Sequence, residues 1–208
     1  MAGKARTTAF RPSLPIAAGM RVGLFGGSFN PAHAGHAHVA ETALKRLGLD
    51  RVVWLVSPQN PLKSAHQTAP LAMRMAGARA FARGPGMIVS DIETTLGSAY
   101  TIDTVRALRR RHPRVRFVWI MGSDNLAGFD RWKGWTEIFR TLPVLVVARP
   151  GTLIHSRSAR AARRFARSRL PAGAVRRLAD SAPPAWIYLA APLDFTSSTA
   201  IRASARVP

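Results

Sequence analysis

The sequence predicts an α/β fold in which a mainly parallel sheet is flanked by helices. Segments with helical spacing lie between short apolar runs that are typical of buried strands. Glycine stands at the end of two of these runs, at Gly26 and Gly122. Strands that alternate with helices indicate right-handed βαβ units, whose parallel strands bind ligands at their carboxyl ends. The predicted strands cover residues 22–25, 51–57, 87–90, 115–121, 142–148 and 186–189.

The first strand leads into a glycine turn and a helix within residues 21–47. Gly26 and Gly27 end the apolar run, and helical spacing begins after Pro31. One face of this predicted helix is apolar and consists of Val39, Ala40, Ala43, Leu44 and Leu47. The next strand, residues 51–57, is rich in β-branched and aromatic side chains and closes the βαβ unit before Pro58.

Two further helices are predicted from spacing and from the residues that end them. The first covers residues 70–83, and its expected inward positions are Met73, Ala76 and Ala80. The second covers residues 98–112 and stops at Pro113, with Thr101 or Thr104 as its N-cap. Its core-facing stripe is expected to consist of Ile102, Val105 and Leu108.

Length and composition predict one packed domain without disulfides or a membrane span. The chain has 208 residues, of which 47% are hydrophobic, so it can bury one core of good size. It contains no cysteine, which excludes disulfides, thiolate zinc sites and cysteine nucleophiles. No stretch approaches 18 uninterrupted apolar residues. We therefore expect a cytoplasmic protein.

The chain is strongly basic, with 31 Lys and Arg against 10 Asp and Glu and a formal charge of +21. Such a field attracts a nucleoside triphosphate, nucleic acid or an anionic membrane, although a solvated arginine-rich surface accounts for it equally well. Residues 151–182 are predicted to be a variable segment with two short arginine-rich helices, at 158–169 and 173–178. Residues 1–20 are predicted to be a flexible basic extension, and 21–208 the folded domain.

The stretch between the first strand and helix predicts a phosphate site. Glycines let the backbone approach a ligand closely, and the free N–H groups of a new helix attract anions. His33 and His36 are three residues apart at this helix entry, so both imidazoles can face one pocket. Gly35 between them leaves room for a ligand.

The segment GSFNPAHAGH resembles the (T/H)xGH signature of the nucleotidyltransferase superfamily, in the form carried by nicotinate-nucleotide adenylyltransferases. The resemblance extends over about residues 21–203 and implies a single Rossmann-like, doubly wound domain. It also implies transfer of AMP from ATP to nicotinate mononucleotide, giving deamido-NAD and pyrophosphate in NAD biosynthesis. The mononucleotide phosphate would attack in line, without a covalent enzyme intermediate.

The resemblance implies a role for each residue that matches a family motif. Those that stabilise charge in the reaction are His33, His36, Lys63 and Arg202. Those at the ATP are Gly26, Gly27, Ser28, Phe29, His36, Gly122, Asp124, Ser197, Ser198, Thr199 and Arg202. Those at the mononucleotide are Ser28, Asn60, Lys63, Thr101, Asp124, Trp132 and Trp135, with Trp132 stacking on the pyridine ring.

Several of these residues also have ordinary structural interpretations. Lys63 can be a solvated lysine, Asp124 a helix N-cap, and Trp135 a residue that packs the helix it opens. The hydroxyls that open the last helix, Ser197, Ser198 and Thr199, can serve as caps. No carboxylate cluster is evident, so Mg²⁺ is expected on the triphosphate, held mainly by phosphate and water rather than by a protein metal site.

Two alternative functions remain open from the sequence. The acceptor can be nicotinamide mononucleotide, alone or with the acid in a dual-specificity enzyme. From another class, the chain can be a basic nucleic-acid-binding protein on a degenerate scaffold of the same family. The interpretation as a nicotinate-nucleotide adenylyltransferase predicts ATP and nicotinate mononucleotide as small-molecule partners. It predicts no membrane partner, and it is compatible with an oligomer.

Overall fold

The computed structural model describes residues 14–58, 68–98, 100–150, 156, 158–190, 196 and 198–204. The strands are β1 (Arg21–Gly27), β2 (Arg51–Val56), β3 (Met87–Ser90), β4 (Arg116–Gly122), β5 (Val144–Val147) and β6 (Trp186–Leu189). The α-helices are α1 (Ala34–Leu47), α2 (Leu71–Phe81), α3 (Ile92–Thr95), α4 (Thr101–Arg111), α5 (Ser123–Ala127), α6 (Trp135–Thr141), α7 (Arg160–Arg164) and α8 (Ser198–Ser204). Short 3₁₀ helices cover Phe129–Arg131, Ala166–Ser168 and Ala172–Asp180.

The six strands form one parallel sheet in the order β3-β2-β1-β4-β5-β6. The direction of winding reverses between β1 and β4, which lie side by side at the centre. A crevice at the carboxyl ends of the strands is expected at this reversal. The prediction of a doubly wound α/β domain is confirmed, and both predicted glycine positions, Gly26 and Gly122, lie on these two central strands.

The core lies on both faces of the sheet. On one face Leu24, Trp119 and Trp186 pack in a cluster with α4 and α6, and on the other face Phe25 and Trp54 pack against α1. The predicted inward stripes are confirmed for α1 and α4, in which Leu44 is partly buried and the following are buried: Val39, Ala40, Ala43, Leu47, Ile102, Val105 and Leu108. Within the described ranges, no helix is both long enough and apolar enough to span a bilayer.

Helix α2 faces the opposite way from the prediction. Met73 is 65% exposed, and Ala76 and Ala80 are exposed as well, so the predicted inward positions are wrong. The buried residues are instead Arg74, Met75 and Ala78. The Arg74 side chain points into the interior, where its guanidinium donates hydrogen bonds to backbone carbonyls, and this face of the helix is therefore the buried one. A search for apolar periodicity cannot anticipate a charged side chain that points inward.

The predicted caps of α4 and α5 are also wrong. The N-cap of α4 is Tyr100, while the hydroxyl of Thr104 is buried and donates to Glu93. The N-cap of α5 is Gly122, which places Asp124 in the first turn of that helix. Because Asp124 is not the cap, its carboxylate does not accept the capping hydrogen bond there.

Described residues of both the predicted extension (1–20) and the predicted variable segment (151–182) pack in the core. Leu14 is buried in the core, so the packed domain includes described residues before Arg21. The ring of Phe165, in the arginine-rich segment, stacks on that of Phe139 in α6 with centroids 4.5 Å apart. Asp180 bonds to Arg21 and Arg116 at the amino ends of β1 and β4. The hydrogen bond from Arg116 lowers the pKa of Asp180.

Candidate active site

A cavity of about 740 Å³ lies at the carboxyl ends of β1 and β4, where the strand order reverses. Most of the site residues predicted from sequence line it: Gly26, Gly27, Ser28, Phe29, His33, His36, Thr101, Gly122, Asp124, Trp132, Ser198, Thr199 and Arg202. Three predicted residues, Asn60, Lys63 and Ser197, lie outside the described residues. The structure therefore brings together residues from both halves of the sheet and from the C-terminal helix.

The last two residues of β1 have little room for a side chain. A Cβ on Gly26 would collide with the Trp119 indole, and one on Gly27 would lie 3.0 Å from the Phe29 ring. Phe29 has a left-handed backbone with φ of 45° and packs its ring against Trp54. The carboxyl end of β1 therefore contributes backbone rather than side chains to the cavity wall.

The two histidines lie at the positive end of α1. His33 is the N-cap and is only 3% exposed, and its ring centroid is 3.8 Å from that of His36. The first turn of the helix contains no acidic residue. A Cβ on Gly35 would lie 3.1 Å from the His33 ring and 2.8 Å from Arg149 Nη2. This end of the cavity is therefore suited to anionic phosphate groups.

The C-terminal helix α8 is tied to the loop between β1 and α1. The Ser198 hydroxyl donates to the Pro31 carbonyl at 2.9 Å, and the Arg202 guanidinium donates to the Asn30 carbonyl. Arg202 Nη2 is also 3.4 Å from Thr199 Oγ1. The cationic Arg202 guanidinium therefore lines the cavity close to the loop that leads into α1.

Arg149 was missed by the sequence analysis, although it stands just after β5 at the ligand-binding edge of the sheet. Its guanidinium lines the cavity and donates through Nη2 to the Thr196 carbonyl at 2.6 Å. Its Nη1 lies 3.8 Å from Asp124 Oδ2. A basic residue at the carboxyl end of a central parallel strand was the signal that could have identified it. Further lining residues that were missed are Asn30, Ser57, Glu93, Tyr100, Asn125, Arg131 and Lys133.

The two tryptophans differ in position. Trp132 lines the cavity, and its ring packs against Phe129 with centroids 5.0 Å apart. Trp135 is not among the cavity residues, and its ring stands perpendicular to Phe165 at 6.0 Å. Asp124 also lines the cavity, with 45% of its side chain exposed. Of the predicted aromatic pair, the structure thus places Trp132 where it can contact a ligand.

Glu93 is a buried carboxyl group in the cavity wall. It is 5% exposed, and its Oε1 accepts a hydrogen bond from Thr104 Oγ1 at 3.1 Å. Burial disfavours the charged form and raises the pKa of Glu93 from 4.5 to about 7, while the bond from Thr104 opposes this shift. The folded protein therefore binds a proton here over a pH range in which the unfolded chain has lost it.

This raised pKa makes the stability of the protein depend on pH. Between about pH 5 and pH 8 the unfolded chain releases the Glu93 proton first, so the free energy of unfolding falls as pH rises. Glu93→Gln keeps an acceptor for Thr104 but does not titrate. We expect the stability of this variant relative to the natural chain to grow by roughly 2 to 3 kcal/mol from pH 5 to pH 8, measured by urea unfolding.

The matched control is Asp91→Asn, which removes an exposed carboxylate two residues away. Its stability relative to the natural chain should stay constant to within about 0.5 kcal/mol over the same pH range. An equal stability difference for Glu93→Gln at both pH values would contradict the assignment of the titration to Glu93.

Within the ranges that the structure describes, His, Asp and Glu side chains form no group of three that is suited to hold a metal ion. The cavity carboxyls are the buried Glu93 and the partly exposed Asp124. Mg²⁺ prefers oxygen ligands and keeps several waters. A divalent cation in this cavity would therefore need phosphate and water oxygens for most of its coordination.

Comparisons with known proteins identify relatives of this chain in sequence and in structure. The family model described as cytidylyltransferase-like matches residues 24–204. A Caulobacter sp. protein described as a probable nicotinate-nucleotide adenylyltransferase is 67% identical over 183 residues, covering 88% of this chain and 97% of the relative. A Cereibacter sphaeroides protein of the same description is 55% identical, covering 90% and 99%. The Plasmodium falciparum nicotinic acid mononucleotide adenylyltransferase complexed with NaAD shares the fold, with a TM-score of 0.64 at 14% identity over 88% of this chain and 83% of that one.

Proposed function

The chain belongs to the nicotinate-nucleotide adenylyltransferase family, and we propose on this basis that it transfers AMP from ATP to nicotinate mononucleotide in NAD biosynthesis. The products are deamido-NAD and pyrophosphate. The observation that carries this proposal is the pair His33 and His36 at the start of α1, which shares one cavity with Arg202 and Trp132. Such a cavity combines an anion site with an aromatic surface.

The reaction needs alignment and charge stabilisation more than acid–base groups. A lone pair on a 5′-phosphate oxygen of the mononucleotide attacks the α-phosphorus of ATP in line. A new P–O bond forms, and the bond from the α-phosphorus to the bridging oxygen breaks, so that pyrophosphate leaves with the electron pair. We assign His33, His36 and Arg202 to the developing charge on the phosphoryl and leaving oxygens.

The two nucleotides are expected to occupy different parts of the cavity. The open backbone at Gly26, Gly27 and Gly122 suits the triphosphate and adenosine, and the α8 hydroxyls of Ser198 and Thr199 lie on the same side as Arg202. We assign Trp132 to stacking on the pyridine ring, Thr101 to the region beside it, and Asp124 to ribose hydroxyls. The roles of Asn60, Lys63 and Ser197 remain proposals from the motifs. Phe29 and Ser28 shape the turn, and Trp135 is left to packing.

We propose that Mg²⁺ enters with the triphosphate and offsets its charge when bound. Phosphate and water oxygens would provide most of its coordination, since Glu93 is buried and Asp124 is assigned to the ribose hydroxyls. We also infer a cytoplasmic location, since highly charged nucleotides do not cross an apolar barrier. The comparisons do not favour the nucleic-acid-binding alternative, and oligomeric state and nucleic-acid binding are open to direct measurement.

The test is pyrophosphate release from ATP and Mg²⁺ with nicotinate mononucleotide and, in parallel, nicotinamide mononucleotide. We expect kcat/KM to favour the acid by at least about tenfold. Comparable turnover with both would indicate a dual-specificity enzyme. Absence of release with either acceptor, from folded protein, would contradict the proposed function. A reaction without acceptor controls for ATP hydrolysis.

A further inference from the structure

Thr196 connects three parts of the site through one short segment. Its Oγ1 accepts a hydrogen bond from the Gly35 N–H at 2.8 Å, near the start of α1. The same oxygen lies 3.2 Å from His33 Nδ1. Its carbonyl accepts a hydrogen bond from Arg149 Nη2. Thr196 is the first residue of the stretch TSSTAIR, residues 196–202, which matches a family motif, but the resemblance gave a role only to Ser197, Ser198, Thr199 and Arg202 within it.

The contact between Thr196 and His33 has two possible directions. The hydroxyl can donate its proton to Nδ1, or a protonated Nδ1 can donate to the hydroxyl oxygen. In a neutral imidazole one ring nitrogen carries the proton and the other does not, so the direction of this bond determines which nitrogen is protonated.

Two physical arguments favour donation from Thr196. A hydroxyl that accepts a hydrogen bond is a better donor, so the chain from the Gly35 N–H through Oγ1 to Nδ1 is mutually reinforcing. The start of α1 also carries a positive potential from its N–H groups, and the first turn has no acidic residue to cancel it. A nitrogen lone pair facing this end is favourable, whereas an N–H pointing at it is not.

We propose that Thr196 is a positioning residue that holds the neutral His33 ring in its Nε2–H form. Oγ1 donates to Nδ1, and the ring proton therefore resides on Nε2. Given the proposed function, this arrangement supplies an N–H donor rather than a lone pair to the phosphoryl oxygens, which accept hydrogen bonds and repel lone pairs. Thr196 thus acts on the reaction through His33, without touching the reacting atoms.

The direct test is the protonation pattern of His33 in protein labelled with ¹⁵N in its histidine rings. Long-range proton–nitrogen spectra, recorded without nucleotide at a pH where the ring is neutral, distinguish protonated from bare ring nitrogens. His33→Gln assigns the signals. We expect a bare Nδ1 in the natural chain and in Thr196→Ser, and a mixture of both forms in Thr196→Val. A protonated Nδ1 in the natural chain would overturn the proposal, whether or not the enzyme reacts with nicotinate mononucleotide.

The kinetic test separates positioning from simple structural support. Thr196→Val preserves shape but lacks the hydroxyl, and we expect it to lower kcat roughly tenfold with little change in the KM for the mononucleotide. Thr196→Ser restores the hydroxyl and should return kcat to within about twofold of the natural value. Equal kcat in Thr196→Val and Thr196→Ser, at unchanged melting temperature, would contradict the proposed role.

Discussion

Replacing His33 and His36 together with alanine should lower kcat/KM for adenylyl transfer by at least about 10³-fold. The two rings lie 3.8 Å apart at the positive end of α1 and line the cavity. In the proposed reaction they would donate hydrogen bonds to the oxygens that gain charge when pyrophosphate leaves. Loss of a single preorganised donor from such a site costs about 10²-fold to 10³-fold, so loss of both should bring transfer close to background. Steady-state pyrophosphate release measures the change.

His38→Ala is the matched control for this double variant. His38 is on the same helix and is partly buried, but it does not line the cavity. Its replacement should change kcat/KM by less than about threefold, because substitutions of residues that do not contact a binding site usually have small effects. Circular dichroism and the melting temperature of the double variant must match those of the folded protein. If the folded double variant retained a tenth or more of the natural kcat/KM, the proposed role of the two histidines in the reaction would be contradicted.

The sequence was most informative where chemistry and geometry both require particular residues. The end of β1 at Gly26 and Gly27 has little room for a side chain, and the two histidines stand at the start of the helix that follows. One short segment therefore contains the glycines and both proposed donors. Parallel strands then bring Gly122 and Asp124 to the same edge of the sheet. The βαβ topology predicts that these strand ends meet at one edge, and the family resemblance supplied the roles of the individual residues.

The residues that sequence analysis missed act through tertiary contacts. Glu93 and Arg149 are not part of a recognisable sequence motif. Their hydrogen-bond partners come from separate elements that meet only in the folded protein. Trp132 and Trp135 are three residues apart with similar surroundings in sequence, yet the cavity includes the first and Phe165 covers the second. Trp132 follows a 3₁₀ helix and Trp135 begins α6, so only the packing of neighbouring segments decides which ring reaches a ligand.

Arg74→Met should lower the free energy of unfolding by about 3 to 5 kcal/mol. The side chain is 3% exposed, and burial lowers the pKa of its guanidinium. Four of its five N–H groups bond to backbone carbonyls, those of Ala69, Ser28, Ser57 and Pro58. In the described part of the chain no carboxylate pairs with it within 4 Å, so these carbonyls provide the compensation for burying the charge.

Methionine fills a similar volume but leaves these carbonyls without the Arg74 donors, which is the costly arrangement for buried polar groups. Arg74→Lys retains the charge but offers three donors from one point in place of a planar fork, so it should also destabilise, though less than methionine. The control is Arg79→Met, an exposed arginine on the same helix, for which we expect a change within about 0.5 kcal/mol. Urea unfolding measures all three.

Arg74 also connects the site to its surroundings, since Ser28 belongs to the turn beside the histidines and Ser57 follows β2. We therefore expect folded Arg74→Lys to show higher KM values for both substrates at a temperature well below its unfolding midpoint. Loss of stability without any change in KM would mean that the guanidinium supports the fold but does not hold the turn in its binding geometry. A stability loss no larger than that of Arg79→Met would contradict the account of the buried guanidinium as a whole.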